Sequence, residues 1–186
     1  EIRDVLKTKD KNRFLYTIEF FPQEGKYHYD GHRNCNVCLH PDETRKNKGI
    51  CPACKKPLTK GVLYRVQELA DRDYGYIPEN AIGYKSMVPL DEIISEAKGI
   101  GKQSKAVQKE YLDAIYNAGS ELNILTKTPT KDLYSHLPER IAEGIRLVRE
   151  KKIDTIPGHD GEYGVIKIFN QEKKEDTKQD QQMTLF

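Results

Sequence analysis

The stretch 35-CNVCLHPDETRKNKGICPAC-54 contains all four cysteines of the chain, arranged as two CxxC pairs with twelve residues, Leu39 to Ile50, between them. A CxxC pair presents two thiolates to one metal from a tight turn, and two such pairs supply the four sulfurs that tetrahedral Zn²⁺ takes at about 2.3 Å. A closed four-sulfur site has no open coordination position, so it holds a fold and does not catalyse. Cys35, Cys38, Cys51 and Cys54 are therefore the expected ligands of a structural zinc; a redox pair or an iron–sulfur cluster is the alternative. Gly49, Pro52, Lys55 and Pro57 supply the turns that the second pair requires. Structural zinc sites in peptides are worth about 10–16 kcal/mol, so the metal is expected to dominate the stability of this segment.

Three histidines stand close by: His28 and His32 before Cys35, and His40 after Cys38. Any of them can replace a thiolate or bind a second metal. Four cysteines already satisfy one zinc, however, and His28, His32, Tyr27 and Arg33 suit phosphate contact or packing equally well. From Gly31 to Arg72 nine Lys or Arg face four Asp or Glu, whereas the whole chain has a formal net charge of only +2. A local excess of this kind suits a phosphate backbone, and Lys55 and Lys56 are its expected contacts. A solvated basic surface explains the same charge without a ligand. Tyr27, Tyr29, Tyr74 and Tyr76 have the type needed to stack on a base, though core or rim positions account for tyrosines as simply.

The remainder of the 186 residues reads as an α+β chain, with a zinc-ribbon-like four-cysteine module followed by a helical segment and a small helix-plus-hairpin unit. Residues 13-RFLYTIEFF-21 read as a buried strand stopped by Pro22, and residues 1–25 as the end of an upstream domain. The metal module occupies 26–82 and leaves through "VLYRVQELADR", a strand or short helix. A helical segment fills 83–135, with apolar residues at helical spacing over Pro89 to Lys98 and Ser104 to Ala118. Residues 136–169 carry a helix from Leu137 to Glu150 and two strands, "IDTI" and "YGVIKIF", across the turn "PGHDGE". From Asn170 the chain is a polar tail of low complexity, expected to be disordered. No apolar run approaches the roughly 18 residues that cross a bilayer, and the first thirty residues do not have the form of a signal peptide, so we expect a cytoplasmic protein without membrane contact. The chain opens on Glu1 and its only methionines are Met87 and Met183, which reads as the later part of a longer protein.

Two further motifs bear on function. In "AKGIGKQSKAV", Gly99 and Gly101 separate two helices ahead of Lys102, Ser104 and Lys105. This is the pattern of a helix-hairpin-helix, whose backbone N–H groups approach a phosphate with Lys102 and Lys105 alongside. An ordinary glycine C-cap between packed helices fits the same residues, and the alanine expected soon after the second glycine is displaced to Ala106. "PGHDGEYG" brings together His159, Asp160 and Glu162, types capable of acid–base chemistry, but it reads more simply as a hairpin turn.

Taken in order, "EFFPQEGKYHYDGHRNCNVCLHPDETRKNKGICPACKKPLTKGVLYRVQELADR", "PENAIGYKSMVPLDEIISEA" and "GHDGEYGVIKIF" resemble the C-terminal half of endonuclease Q, over about Phe14 to Phe169. The resemblance implies a DNA repair hydrolase that incises 5′ to deaminated bases such as uracil and hypoxanthine and at abasic sites. It places the divalent-metal chemistry in an upstream PHP-type barrel, so no catalytic residue is assigned here and the four cysteines alone carry over as zinc ligands. The terminal "QMTLF" resembles the peptide by which bacterial repair proteins bind the DNA sliding clamp, with Gln182 at the pocket rim and Met183, Leu185 and Phe186 as apolar anchors. The polar stretch from Asn170 would give that peptide reach. Two readings of other classes are a non-catalytic zinc module that binds nucleic acid, and a zinc ribbon that makes only protein contacts.

Overall fold

The computed structural model describes residues 1–169; the clamp-type peptide at Gln182, Met183, Leu185 and Phe186 and the rest of the tail lie outside the described residues. The α+β class holds, with short strands and a predominantly helical second half. The elements are α1 (Ile2–Thr8), β1 (Tyr16–Glu19), β2 (Asp30–His32), β3 (Val37–Leu39), α2 (Pro41–Lys46), α3 (Val62–Leu69) and β4 (Gly83–Ser86). They continue with α4 (Leu90–Lys98), α5 (Lys105–Ala118), α6 (Glu121–Thr126), α7 (Thr130–His136), α8 (Glu139–Arg149), β5 (Asp154–Ile156) and β6 (Val165–Lys167).

The helical half contains the hydrophobic core. Leu90, Ile93 and Ile94 of α4, Val107 and Ala114 of α5, Leu133 of α7, and Ile141, Ala142, Ile145 and Val148 of α8 are buried together with Ile124, Leu125 and Ile168. On α8 those positions repeat as i, i+1, i+4 and i+7, the apolar stripe of a helix with one face turned inward. α4 packs on both α5 and α8, and α7 packs on α8 and α5. Gly144 lets α4 and α8 approach, because a Cβ there would lie 2.8 Å from Ile93 Cγ2 and 2.9 Å from Phe169 Cζ. Each buried Ile or Leu contributes about 1.5–3 kcal/mol of transfer free energy, and none of the candidate metal ligands belongs to this core.

Polar side chains close the ends of these helices. Arg149 donates to the carbonyls of Leu125 (3.0 Å), Thr128 (2.6 Å) and Ile124 (2.5 Å), satisfying acceptors at the end of α6 that the helix itself leaves open. Glu121 accepts from Leu90 N at 2.9 Å and from Tyr111 Oη at 2.8 Å, which sets a carboxylate at the N-terminus of α4. Glu96 accepts from the backbone of Ile168 and Phe169, fastening the exit of β6 to α4.

The first half is built differently. β2 and β3 form an antiparallel hairpin in which Gly31 opposes Cys38, and Gly31 and Thr59 exchange both backbone hydrogen bonds at 2.9 and 2.8 Å. Asp30 is fully buried and accepts from Gly61 N at 2.6 Å, which fixes the start of α3. Gly61 is required there, since a Cβ would sit 2.4 Å from the carbonyl oxygen of Tyr29. The segment "VLYRVQEL" is thus a helix, and the strand read over 13–21 shortens to four residues. Its partner is β4, which pairs with β1 in parallel, Tyr16 opposite Gly83 and Glu19 opposite Ser86. That long-range pairing has no local signature in the sequence.

Candidate metal centre

Three elements bring the metal-ligating side chains together. His32 ends β2, Cys35 closes the 3₁₀ turn Arg33–Cys35, and Cys51 and Cys54 stand on the turn before Pro57. That last turn is closed by Lys55 N donating to Cys51 O at 3.0 Å and by Cys51 N donating to Lys56 O at 2.8 Å, with Lys55 in the left-handed region at φ 62. One donor atom from each of His32, Cys35, Cys51 and Cys54 lies within 4.8 Å of all the others. His32 Nδ1 and Cys54 Sγ are 3.5 Å apart. Cys51 is buried and the other three are half-buried. Three thiols and an imidazole are a donor set that suits tetrahedral Zn²⁺ and leaves no coordination position open.

Of the four cysteines expected from spacing, three stand in this group, and its fourth member is a histidine. After Cys35, Asn36 takes a left-handed conformation (φ 50) and the chain enters β3 at once, so the first CxxC does not fold back as the second does. Cys38 falls within that strand, and its Sγ lies 3.8 Å from the carbonyl oxygen of Pro157, apart from the group. His32 takes its place in the set. The H-x-x-C spacing of His32 and Cys35 was the available signal.

The thiols influence one another. Hydrogen bonding with Cys54, then burial and Cys51, pushes the Cys35 thiol up to about 11, whereas the backbone N–H of Cys54 pulls Cys51 below its ordinary value. Thiols must lose their protons to ligate a cation, so the metal affinity of such a group rises with pH.

The other expected contacts fall into distinct settings. His28 stacks on Tyr29 (5.3 Å between ring centres), and burial and then His40 hold its pKa below the usual imidazole value. His40 meets the other side of Tyr29 edge-on at 5.4 Å. It also caps α2, its Nδ1 accepting from Asp42 N while Glu43 accepts from its backbone N–H. Arg33 donates its backbone N–H to Asp160 at 2.7 Å, and the other carboxylate oxygen of Asp160 accepts from Thr59 Oγ1 at 2.6 Å. "PGHDGEYG" is thus a tight turn, with Asp160 at φ 43 and Gly161 at φ 90, whose carboxylate ties it to the metal segment.

Lys55 donates to Pro52 O, and Lys56 is exposed. Lys102 lies against Glu92 (2.7 Å) and Asp91 (3.3 Å), so its charge is already matched. Lys105 is exposed in the first turn of α5. Between these lysines, Gly99 caps α4 in the left-handed conformation (φ 65), and Ser104 caps α5 by accepting from Val107 N. Tyr74 and Tyr76 are exposed, and Arg72 lies over the Tyr76 ring. A further constellation had no motif to announce it: Arg45 from α2 and Lys60 both lie over the ring of Tyr64 on α3, at 5.0 and 4.2 Å.

Over 86% of its length the chain superposes on the crystal structure of the lesion-specific endonuclease PfuEndoQ from Pyrococcus furiosus, with a TM-score of 0.72 and 31% identity. The chain resembles part of endonuclease Q. A second endonuclease Q structure, holding a 27-mer duplex substrate with an abasic lesion at the active site, matches over the same 86% at a TM-score of 0.68 and 31% identity. The family model described as the MJ0043 C-terminal domain matches residues 89–152, the helical half. Among curated relatives, the uncharacterized protein MJ0043 of Methanocaldococcus jannaschii is 33% identical over 162 residues, or 87% of this chain. YqxK of Bacillus subtilis is 28% identical over 164 residues, again 87% of this chain. The chain spans 40% of each endonuclease Q structure, 20% of MJ0043 and 38% of YqxK.

Proposed function

We propose that this chain is the zinc-containing, DNA-gripping part of a repair endonuclease that incises beside damaged bases. The likeness to a lesion-specific endonuclease, carried across both the metal segment and the helical half, is the observation that supports it most. A nuclease that acts at a lesion must turn a nucleotide out of the stack while holding the flanking duplex, which requires a rigid, basic surface beside the active site. The His32, Cys35, Cys51 and Cys54 group would hold a structural Zn²⁺ and keep Arg33, Lys55 and Lys56 on a fixed frame. Lys60, set over the Tyr64 ring, adds a cation on the same segment, whereas Arg45 is already matched by Asp42.

Catalysis, with its own divalent metal, is assigned to a PHP-type domain of which residues 1–25 are the end; no residue of this chain is given a catalytic role. Deaminated bases and abasic sites are the proposed substrates of the whole enzyme. Gln182, Met183, Leu185 and Phe186 are the proposed sliding-clamp contact.

The test is fluorescence anisotropy and gel-based incision with the zinc-loaded chain on matched duplexes, undamaged or carrying one abasic site or deoxyinosine. Binding without cutting is the expected result. Cutting by this chain alone would place the catalytic centre within it, and no binding at modest salt would favour a module that makes only protein contacts.

A further inference from the structure

The turn from Pro157 to Gly164 is laced to residues 23–29 by backbone hydrogen bonds: Gly158 N to Gln23 O (2.8 Å), Tyr29 N to Gly158 O (2.9 Å), Gly161 N to Lys26 O (3.0 Å) and Gly164 N to Glu24 O (3.0 Å). Two of its glycines are required by this closeness, since a Cβ would lie 2.4 Å from Gly25 O at Gly158 and 2.0 Å from Gln23 O at Gly164. The Asp160 carboxylate adds its bonds to Arg33 N and Thr59 Oγ1. A surface fixed at so many points is set before a ligand arrives, so binding there costs little ordering.

This frame displays two exposed tyrosines, each with a cation beside it. Tyr163 is 72% exposed, and Lys26 Nζ lies 4.5 Å from its ring centre. Tyr27 is 50% exposed; its Oη and Arg33 Nη1 both approach Gly161, at 3.5 and 3.6 Å from where a Cβ would stand. Both Asp160 oxygens are taken, Glu162 faces His159 at 4.0 Å, and among the described residues neither Lys26 nor Arg33 forms an ion pair. Single surface aromatics are ordinary. Two on one rigid frame, each flanked by an unmatched cation, have the composition of a platform on which bases stack while the cations meet phosphates. A ring stacks only on a base whose face is open, and in a paired duplex neighbouring pairs cover those faces. The ligand that fits is an unpaired stretch of strand.

We propose that Tyr27 and Tyr163, with Lys26 and Arg33, form a binding site for single-stranded nucleic acid, in addition to the lysines that meet the duplex backbone. A nucleotide turned out of a duplex leaves its partner unpaired, so such a ligand arises wherever a lesion is opened. That use rests on the reading of the chain as part of a lesion nuclease; the site itself does not.

Fluorescence anisotropy with the zinc-loaded chain, on a labelled oligothymidylate strand and on an undamaged duplex of equal length, tests the site. Tyr163→Ala should weaken binding to the single strand by about fivefold or more, the loss of one stacked base, and leave duplex affinity within about twofold. Tyr163→Phe keeps the ring and should bind the strand as the unaltered chain does. Lys26→Ala should lower the salt slope on the single strand by about 0.7. Tyr163 and Lys26 are exposed, so neither change threatens the fold. Unaltered single-strand binding by Tyr163→Ala, or an equal loss on strand and duplex, would overturn the proposal. A chain that held the duplex but not the strand would overturn this site and leave the duplex-gripping function standing; one that held the strand but not the duplex would do the reverse.

Discussion

His32 and Cys38 carry the sharpest contrast at the scale of single residues. Cys38→Ser should leave one tightly bound zinc per chain, because its thiol points to Pro157 O, whereas Cys51→Ser or His32→Ala should lower the stoichiometry or weaken binding at least tenfold. Elemental analysis and a chromogenic chelator competition read this directly; zinc loss in the Cys38 variant would restore the four-cysteine site. Glu143 supplies a second residue-scale test. Hydrogen bonds from Arg146 and then Tyr134 lower its pKa from 4.5 to about 2. A depressed folded pKa stabilises above the unfolded value and is lost as pH falls through the folded one, so its contribution fades between about pH 4.5 and pH 2. Solvent screening keeps it small. Glu143→Gln should flatten the loss of helical stability across that window in an acid titration followed by circular dichroism.

Individual elements show which lysines remain available to a ligand. Lys102 is matched by Asp91 and Glu92, whereas Lys105 stands exposed at the start of α5. Lys105→Ala should weaken binding to damaged and undamaged duplexes alike and reduce the salt slope by about one. Lys102→Ala should change it far less, and anisotropy titrations at several salt concentrations separate the two. The end of α6 offers a stability test: Arg149→Ala leaves three carbonyl acceptors without their donor and should cost about 1–3 kcal/mol in urea denaturation. Periodicity made α4, α5 and α8 legible in advance, since their apolar positions recur at helical spacing. α6 and α7, at six and seven residues, are too short for a period to emerge, and they hold their shape through Ile124, Leu125 and Leu133 in the shared core. β4 was illegible for another reason: "GYKS" has no strand pattern of its own and is defined by a partner more than sixty residues away.

Across the described residues as a whole, apolar burial is unevenly shared. Residues 88–168 share a hydrophobic core, while the metal segment buries little apolar surface beyond Cys51 and Leu58. Chelation should therefore unfold residues 26–61 and leave most helical circular dichroism in place, with exchange protection lost in β2 and β3 and retained in α4 and α8. The cysteine pattern made a metal site legible, but the choice of His32 over Cys38 depends on where β3 begins, and a spacing rule does not contain that information.

The hydrogen bonds from Arg33 N and Thr59 Oγ1 to Asp160 bear on biosynthesis. Residues 33 and 160 are 127 positions apart, so the metal segment is synthesised long before its latch exists. Domains fold from the N-terminus as the chain emerges, and contacts of such separation form late. Until residue 160 emerges, the ligands would thus stand in an unlatched hairpin, open to metal exchange. Arrival of the turn at Asp160 would then close the segment, making the β5–β6 hairpin the element that decides when the metal is committed.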